Sequence, residues 1–300
     1  MDGAKALAPM RLHLVDGTYE LFRAHFSKRP DRRSMQGQDV KATAGIATSL
    51  IALLSDPSEA VTHLAVAFDN PIRSFRNDLF QDYKSDEGVA PELLAQFDLA
   101  EAAVRSLGIV VWSMDQWEAD DAIATAAARW RGQVTQVRIL SPDKDFGQCL
   151  DGQRIVQVDR RAQKTIDQAS LLQRRGVEPE SIPDYLALVG DTADGIPGLP
   201  GFGETSSSAL LGAYRHLEDI PASAREWKCT VRSSETLAAT LASHREEALL
   251  YRRLATLQKD VPLEETLDDL RVEGIAANEF EAWWSSAGIE PPTVPAQLWR

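Results

Sequence analysis

Acidic side chains follow four separate apolar runs of the sequence, and they are its strongest chemical signal. The runs are RLHLV, HLAVAF, the stretch after Gly108, and VTQVRIL. The acids are Asp16, Asp69, Glu118, Asp120, Asp121, Asp143 and Asp145. Two carboxylates about 4 Å apart repel by roughly 4 kcal/mol at an effective dielectric of about 20. If folding gathers these acids, the cluster must take up protons or bind cations.

Oxygen donors without histidine or cysteine favour hard cations, so the sequence predicts Mg²⁺ or Mn²⁺ rather than zinc. Two such ions can activate a water molecule and stabilise the leaving oxygen in phosphodiester hydrolysis. The chain has no G-x-x-x-x-G-K-S/T loop, no G-x-G-x-x-G after its first strand and no G-x-S-x-G. These residues therefore favour metal-dependent phosphodiester cleavage over kinase chemistry or dinucleotide binding.

The apolar runs are typical of strands in a parallel sheet. We predict strands over 11–15, 63–68, 109–112, 134–140 and 154–158, with helices between them over 43–55, 91–107 and 119–130. This alternation predicts an α/β fold with a mostly parallel central sheet flanked by helices. The carboxyl ends of parallel strands share one edge, where ligands bind. Each acid alone also has another explanation, as a helix N-cap or as a partner of the helix dipole.

The character of the chain changes after residue 175, where strand signals end. We predict an α/β domain over 1–180 and a helical domain over 181–300, with helices over 235–258 and 277–286. Residues 190–211 combine an acidic pair, Asp191 and Asp194, with three glycines and a helix start. The glycines and the helix start are Gly198, Gly201, Gly203, Thr205 and Ser206. This pattern resembles hairpins whose amides hold a phosphodiester backbone without reading bases.

Composition limits the remaining possibilities. The net charge of -13 argues against a nucleic-acid partner, but a metal site holding nine acids would account for much of that excess. Cys149 and Cys229 lack metal-type spacing. No apolar run approaches the roughly 20 residues of a membrane span, and no signal peptide is recognisable. We expect a cytoplasmic protein without membrane contact, in which residues 1–9 form a dispensable tail before Met10.

Six segments, in this order, resemble the 5′-nuclease family, which includes flap endonucleases and the 5′-3′ exonuclease domain of bacterial DNA polymerase I. They are LHLVDG, AVAFDN, SFRNDLFQDYKS, WEADDAIA, SPDKDFGQ and LALVGDTADGIPGLPGFGE. The resemblance implies a PIN-like core with a helical arch near 73–92 and a helix-three-turn-helix near 184–212. It implies a free-standing, structure-specific DNA 5′-nuclease, acting as 5′-3′ exonuclease and flap endonuclease in replication and repair.

The resemblance also implies roles for individual residues. The metal centre would comprise Asp16, Asp69, Glu118, Asp120, Asp121, Asp143, Asp145, Asp191 and Asp194. Asp121 and Asp194 would act through bound waters. Arg76 and Lys84 would contact the reacting phosphate. Phe22 would stack on a terminal base, although its place on an amphipathic helix is equally typical of core packing.

The implied cofactors are two or more Mg²⁺ or Mn²⁺ ions, with a K⁺ ion at the hairpin carbonyls. The implied partner of the monomer is DNA with 5′ flaps, nicks, gaps or ends, besides replication or repair proteins. Two positions depart from the family pattern, because Thr205 and Glu87 replace its usual basic residues. The alternatives are a PIN-type ribonuclease with a smaller acidic site and a non-catalytic DNA-structure binding protein, which would lack several acids.

Overall fold

A computed structural model describes residues 9–300, which form six strands and twelve α-helices. Residues 1–8, most of the predicted tail, lie outside the described part. The strands are β1 (Arg11–Asp16), β2 (His63–Asp69), β3 (Val110–Met114), β4 (Gln136–Leu140), β5 (Ile155–Asp159) and β6 (Lys164–Ile166). The helices are α1 (Gly17–His25), α2 (Lys41–Ser55), α3 (Phe75–Leu79), α4 (Pro91–Leu94), α5 (Phe97–Arg105), α6 (Ala119–Trp130), α7 (Gln168–Arg175), α8 (Ile182–Val189), α9 (Glu204–Tyr214), α10 (Ser234–Ser243), α11 (Arg245–Ala255) and α12 (Ala277–Ser286).

The strands form one sheet in the order β3-β2-β1-β4-β5-β6. The first five are parallel, and β6 is antiparallel to β5. The predicted α/β class with a mostly parallel central sheet is therefore confirmed. The short strand β6 was not predicted, because it is an edge strand whose residues are largely exposed.

Helices cover both faces of this sheet, which explains why its strands are continuously apolar. Leu12 and Leu14 of β1 pack on one face in a cluster with α6. Val15 of β1 and Phe68 of β2 lie in the cluster on the other face, with α1, α2 and α5. Burial on both faces selects apolar residues along the whole strand rather than at alternate positions.

The helices α8–α11 surround a second core that includes Ile182, Leu210 and Leu254. The helices of this core follow the predicted boundary near residue 180, although Leu150 and Leu171 before that boundary also belong to the second core. The end of the chain, however, returns to the first core, where Phe280 and Trp284 of α12 pack in the same cluster as β2. Residues beyond 270 therefore accompany the α/β unit and not the helical unit.

Three predicted elements differ in detail. The helix predicted over 235–258 is divided into α10 and α11, with His244 between them. The helix predicted over 91–107 is interrupted between α4 and α5, where the Gln96 side chain accepts hydrogen bonds from the amides of Ala42 and Thr43 at 3.0 and 3.1 Å. The predicted arch over 73–92 contains the short helix α3, a loop and the first residues of α4. Across residues 9–300, every helix is too short or too polar to cross a membrane.

Candidate metal centre

The carboxyl ends of β1 and β2 bring Asp16 and Asp69 to the same edge of the sheet. The Asp16 carboxylate caps α1 by accepting the amide of Tyr19 at 2.8 Å. The Asp69 carboxylate accepts the amide of Ala119 at 2.7 Å, at the start of α6. The second bond joins Asp69 to the first turn of α6, and the other oxygen of Asp16 accepts the hydroxyl of Ser141, just after β4, at 2.9 Å.

The start of α6 supplies Glu118 and Asp120. Glu118 accepts the hydroxyl of Ser74 at 2.6 Å and the ammonium of Lys84 at 2.9 Å. Burial raises the pKa of Glu118, but Lys84 and Arg76 outweigh burial and hold that pKa at about 2. For Asp120 the balance is opposite: burial and the charge of Asp16 outweigh the charge of Lys84 and raise its pKa well above the ordinary value.

Asp145, Asp191 and Asp194 form the tightest group of acids. Each is buried and offers one carboxylate oxygen, and these oxygens lie within 4.8 Å of one another. Asp145 lies in the 3-10 turn after β4, and the other two lie in the turn after α8. Within residues 9–300 the Oδ1 atom of Asp145 is buried without a hydrogen-bond partner. An unpartnered buried carboxylate oxygen is costly, and a hard cation ligated by oxygens would satisfy it.

The carboxylates from the strand ends, from α6 and from the turn after α8 repel one another. Burial, together with the charges of Asp69 and Asp143, raises the pKa of Asp16 to about 7. Burial likewise raises the pKa of Asp194 to about 6, and that of Asp145 well above its ordinary range. Such charge interactions link Asp16, Asp69, Glu118, Asp120, Asp143, Asp145, Asp191 and Asp194.

Two lysines partly neutralise this network. Lys84 reaches Glu118 at 2.9 Å and Asp194 at 3.1 Å, and Lys144 reaches Asp191 at 2.8 Å. Burial alone would lower the pKa of Lys84, but the charges of Glu118, Tyr83 and Asp194 outweigh burial and raise that pKa well above its ordinary value. The ammonium therefore stays charged. Eight carboxylates facing two ammonium groups leave a negative excess that suits divalent cations.

Arg76 and Asp121 lie elsewhere than the resemblance implied. The Arg76 guanidinium is fully buried and donates two hydrogen bonds to Asp121, at 2.7 and 2.8 Å. The carboxylate also accepts the amides of Glu118 at 3.0 Å and Gln258 at 2.8 Å. A phosphate contact for Arg76 and a metal-site role for Asp121 do not fit this geometry. The buried guanidinium is bound by Asp121, by Glu118 at 3.2 Å and by two backbone carbonyls, and both oxygens of Asp121 already accept hydrogen bonds.

Phe22 is half-buried and packs against the core on the α1 side of the sheet. Its ring meets Phe97 edge to face at a centroid distance of 6.5 Å. The core-packing interpretation therefore describes Phe22 better than base stacking. Phe26, one turn later, is the exposed aromatic of this helix, at 72 % exposure.

The glycine turn between α8 and α9 is closely packed. Gly198 has φ +72°, and a Cβ there would lie 2.6 Å from the backbone nitrogen of Gly190. The start of α9 borders a groove with a volume of about 620 Å³. It is lined by Gly201, Gly203, Thr205, Ser206 and the exposed Arg232. Arg232 was not singled out in the sequence, because it stands 26 residues beyond Ser206 and no motif marks it.

Sequence reasoning also missed Ser74, Tyr83 and Lys144, which line the acidic centre. The Tyr83 hydroxyl donates to Glu118 at 3.2 Å. Lys144 stands between two predicted metal ligands in SPDKDFGQ, and Tyr83 directly precedes Lys84. Adjacency to predicted site residues was therefore the available signal for Tyr83 and Lys144.

Two family models match the chain. Residues 11–176 match the 5′-3′ exonuclease N-terminal resolvase-like domain, and residues 177–278 match the 5′-3′ exonuclease C-terminal SAM fold. DNA polymerase I of Bacillus caldotenax is 33% identical over 284 residues, covering 93% of the chain and 32% of that protein. DNA polymerase I of Pseudomonas aeruginosa is 36% identical over 268 residues, covering 86% of the chain and 28% of that protein. The chain thus spans about a third of the length of these curated relatives.

Among solved structures, the fold is similar to that of the T5 5′-exonuclease with bound divalent metal ions (zinc). The TM-score is 0.62 at 18% identity, covering 92% of this chain and 98% of that one.

Proposed function

The chain belongs to the 5′-3′ exonuclease family, and on that premise we propose that it is a structure-specific DNA 5′-nuclease. It would hydrolyse phosphodiester bonds as a 5′-3′ exonuclease and flap endonuclease. The observation that carries this proposal is the convergence of eight carboxylates, one of them with an unpartnered buried oxygen, at the carboxyl edge of the sheet.

The residues that would hold divalent cations are those of the linked acidic network. Asp145, Asp191 and Asp194 are the best candidates for a shared ion, because their oxygens already lie within 4.8 Å. Mg²⁺ or Mn²⁺ bound there would supply an activated water and stabilise the leaving oxygen. We assign Asp121 to a structural role outside this set.

Lys84 is the chain's own candidate for contact with the reacting phosphate. Its ammonium stays charged and lies between Glu118 and Asp194, a quarter exposed. Cations that neutralise these carboxylates would release the ammonium to donate to a phosphate oxygen. The position of Lys84 between the two carboxylates supports its predicted contact with the reacting phosphate. Arg76 cannot make the same contact, because it is fully buried.

The hairpin α8–α9 is our candidate for binding the DNA duplex. The groove at the start of α9 exposes Gly203, Thr205 and the guanidinium of Arg232. Amides, hydroxyls and arginine are the groups that contact phosphates without reading bases. Thr205 replaces the usual basic residue of the family, and Arg232 offers a positive charge in the same groove.

The proposal extends to replication and repair DNA with flaps, nicks, gaps or 5′ ends. One support is the set of relatives named DNA polymerase I. Another is a T5 flap endonuclease of similar fold, crystallised with DNA and metal ions. Its TM-score is 0.64 at 17% identity, covering 92% of this chain and 97% of that one. We further propose a monomer of two domains with a boundary near residue 180, in which residues beyond 270 return to the α/β domain. We also propose a K⁺ ion at the hairpin carbonyls.

One assay tests the proposal. 5′-labelled flap, nicked and blunt DNA, with a matched single-stranded RNA, are incubated with Mg²⁺, with Mn²⁺ or with EDTA. We expect DNA cleavage that leaves 5′-phosphate and 3′-hydroxyl ends, stops in EDTA and returns with Mn²⁺. Cleavage that persists in EDTA contradicts the metal mechanism. Preference for the RNA would favour the ribonuclease alternative, and binding without cleavage would favour the DNA-structure binding protein.

A further inference from the structure

Arg76 connects regions that are far apart in the sequence. From α3 it pairs with Asp121 in the first turn of α6. Its Nε donates to the carbonyl of Leu254 at 2.8 Å, and one Nη donates to the carbonyl of Thr256 at 3.0 Å. Both carbonyls lie at the end of α11, which packs against the first hairpin helix, α8. The guanidinium thus joins the helical unit to the helix that begins at the metal centre.

The connection continues on both sides of Arg76. Toward the hairpin, Arg252 of α11 donates to Asp184 of α8 at 3.1 Å. Toward the sheet, the chain after α11 runs along α6, where the amide of Val261 donates to the Thr125 hydroxyl at 3.2 Å. A continuous series of short contacts therefore leads from the hairpin to α6.

Ion pairs also link the hairpin to the acidic centre, from Lys84 to Asp194 and from Lys144 to Asp191, beside a bond from the Lys84 amide to the Asp194 carbonyl at 3.1 Å. Divalent cations would compete with both lysines for these carboxylates. The pair of Arg76 and Asp121 is fully buried, and both of its carboxylate oxygens already accept hydrogen bonds. The guanidinium also lies 3.2 Å from Glu118, but its bonds to Asp121 and to the carbonyls of α11 involve no carboxylate of the proposed metal set, so metal binding leaves them in place.

We propose that Arg76 and Asp121 are positioning residues that fix the distance from the duplex-binding hairpin to the metal centre, and so select which phosphodiester is cut. This inference rests on the proposed nuclease function. Displacing reacting groups by about 1 Å can slow a reaction about 100-fold. A connection that does not depend on metal keeps the hairpin in register while cations bind and leave.

Two variants of the full chain test this role. Arg76→Met combined with Asp121→Leu replaces a buried ion pair by apolar side chains, an exchange that folds often tolerate. Arg76→Lys keeps a charge opposite Asp121 but loses the paired geometry and the bonds to the α11 carbonyls. The matched control is Arg138→Met, because Arg138 is also a largely buried arginine, paired at 2.9 Å with Glu59, which lies before the start of β2.

Cleavage of 5′-labelled flap DNA is mapped at single-nucleotide resolution, and kcat and KM are measured separately. In EDTA, amide hydrogen exchange is followed over residues 252–258. Both variants should exchange faster there, spread their cuts over neighbouring phosphodiesters and lose about 10- to 100-fold in kcat with little change in KM. The control should keep the wild-type cut position.

Wild-type cut positions in Arg76→Lys would overturn the proposal, as would equal spreading in Arg138→Met. Should the double variant not fold, Arg76→Lys alone decides. Unchanged exchange over 252–258 in both folded variants refutes the connection without reference to activity. Absence of cleavage by the wild-type chain on every substrate is a different result, since it refutes the nuclease function itself.

Discussion

Asp120 and Asp121 are adjacent in the sequence, yet their carboxylates have opposite surroundings. Asp120 faces Asp16, Asp143 and Asp69, whose charges add to burial and raise its pKa. Asp121 instead meets a guanidinium and two backbone amides. Successive positions on a helix point about 100° apart, because a turn holds about 3.6 residues. One carboxylate therefore faces the acidic network, and its neighbour binds Arg76 away from it.

Replacing Asp145 or Asp191 by asparagine should nearly abolish cleavage and stabilise the metal-free fold. Each change removes a ligand charge worth several kcal/mol to the transition state, so kcat should fall about 100-fold or more. Each also removes a charge from a repulsive cluster, so the unfolding midpoint in EDTA should rise. Steady-state kinetics and thermal unfolding measure the two effects. Asp260→Asn, at an exposed position, is the control; wild-type rates in both site variants would rule out the proposed ligands.

Stabilisation by Mg²⁺ should grow with pH. The pKa of Asp16 is about 7 in the folded protein against an ordinary 3.8, and that of Asp194 is about 6. Between about pH 4 and about pH 7 the metal-free folded state binds more protons than the unfolded state. The stability of the metal-free protein therefore falls as pH rises. Bound cations displace the protons and remove this loss.

Thermal unfolding with and without Mg²⁺ at several pH values checks this expectation. The difference between the two midpoints should increase from about pH 4 to about pH 7 and then level off. His13, whose pKa is lowered chiefly by burial, contributes equally with and without metal and cancels in the difference. Asp16→Asn should weaken the trend. A difference that shrinks with rising pH would contradict the assignment.

The sequence identified most of the centre because strand ends are readable locally. It could not separate Asp121 from Asp120, since the partners of Asp121 are 45 residues away at Arg76 and 137 residues away at Gln258. Ser74 was hidden for the same reason, because its partner Glu118 lies 44 residues later. The direction of a side chain in the first turn of α6 depends on tertiary contacts, and the spacing of acids along the sequence does not reveal those contacts.

At the scale of elements, the hairpin delivers Asp191 and Asp194 only if its turn keeps its shape. The amide of Asp191 donates to the carbonyl of Ile196 at 2.7 Å, and the Ile196 amide returns the bond at 2.7 Å. Gly198 then passes so close to Gly190 that neither position has space for a side chain. The glycines noted in the sequence therefore hold the turn that carries Asp191 and Asp194, besides lining the proposed DNA-binding surface.

Gly198→Ala should destabilise the protein by about 1–3 kcal/mol, because alanine at φ +72° is strained and its Cβ would meet backbone atoms at 2.6 Å. Displacement of the turn should also weaken Mn²⁺ binding. Denaturant unfolding and calorimetric titration measure the two effects. Gly203→Ala is the matched control in the same hairpin, since its φ is −135° and a Cβ there meets nothing within 4 Å. Equal losses in both variants would show that the close packing at Gly198 is unimportant.

Some element limits followed from apolar periodicity in the sequence, whereas the helix predicted over 235–258 is divided at His244. The helix over 119–130 and the helix over 277–286 were predicted with the limits that the structure shows. The break at Gln96 was not foreseeable, because it depends on a side chain that reaches the start of α2, more than 50 residues away. Local helix propensity predicts that the helix continues through Gln96, but the tertiary hydrogen bonds of the Gln96 side chain accompany a break there.

At the scale of the molecule, the chain folds back on its first core after crossing the helical unit. The amide of Val272 donates to the carbonyl of Thr62 at 2.9 Å, next to β2. From there α12 places Trp284, fully buried, among the side chains that cover β2. The core of the α/β unit therefore contains residues from both halves of the chain. A single boundary at residue 180 does not describe this arrangement.

Trp284→Ala should consequently destabilise the α/β unit although it lies more than 100 residues beyond the predicted boundary. Removing a fully buried tryptophan typically costs about 3–5 kcal/mol. Trp283→Ala is the control, because Trp283 is only half-buried and should cost less. Denaturant unfolding followed by hydrogen exchange in β2 and in α8 locates the effect. Loss of protection in β2 is expected because Trp284 packs there; loss confined to α8 would place α12 with the helical unit instead.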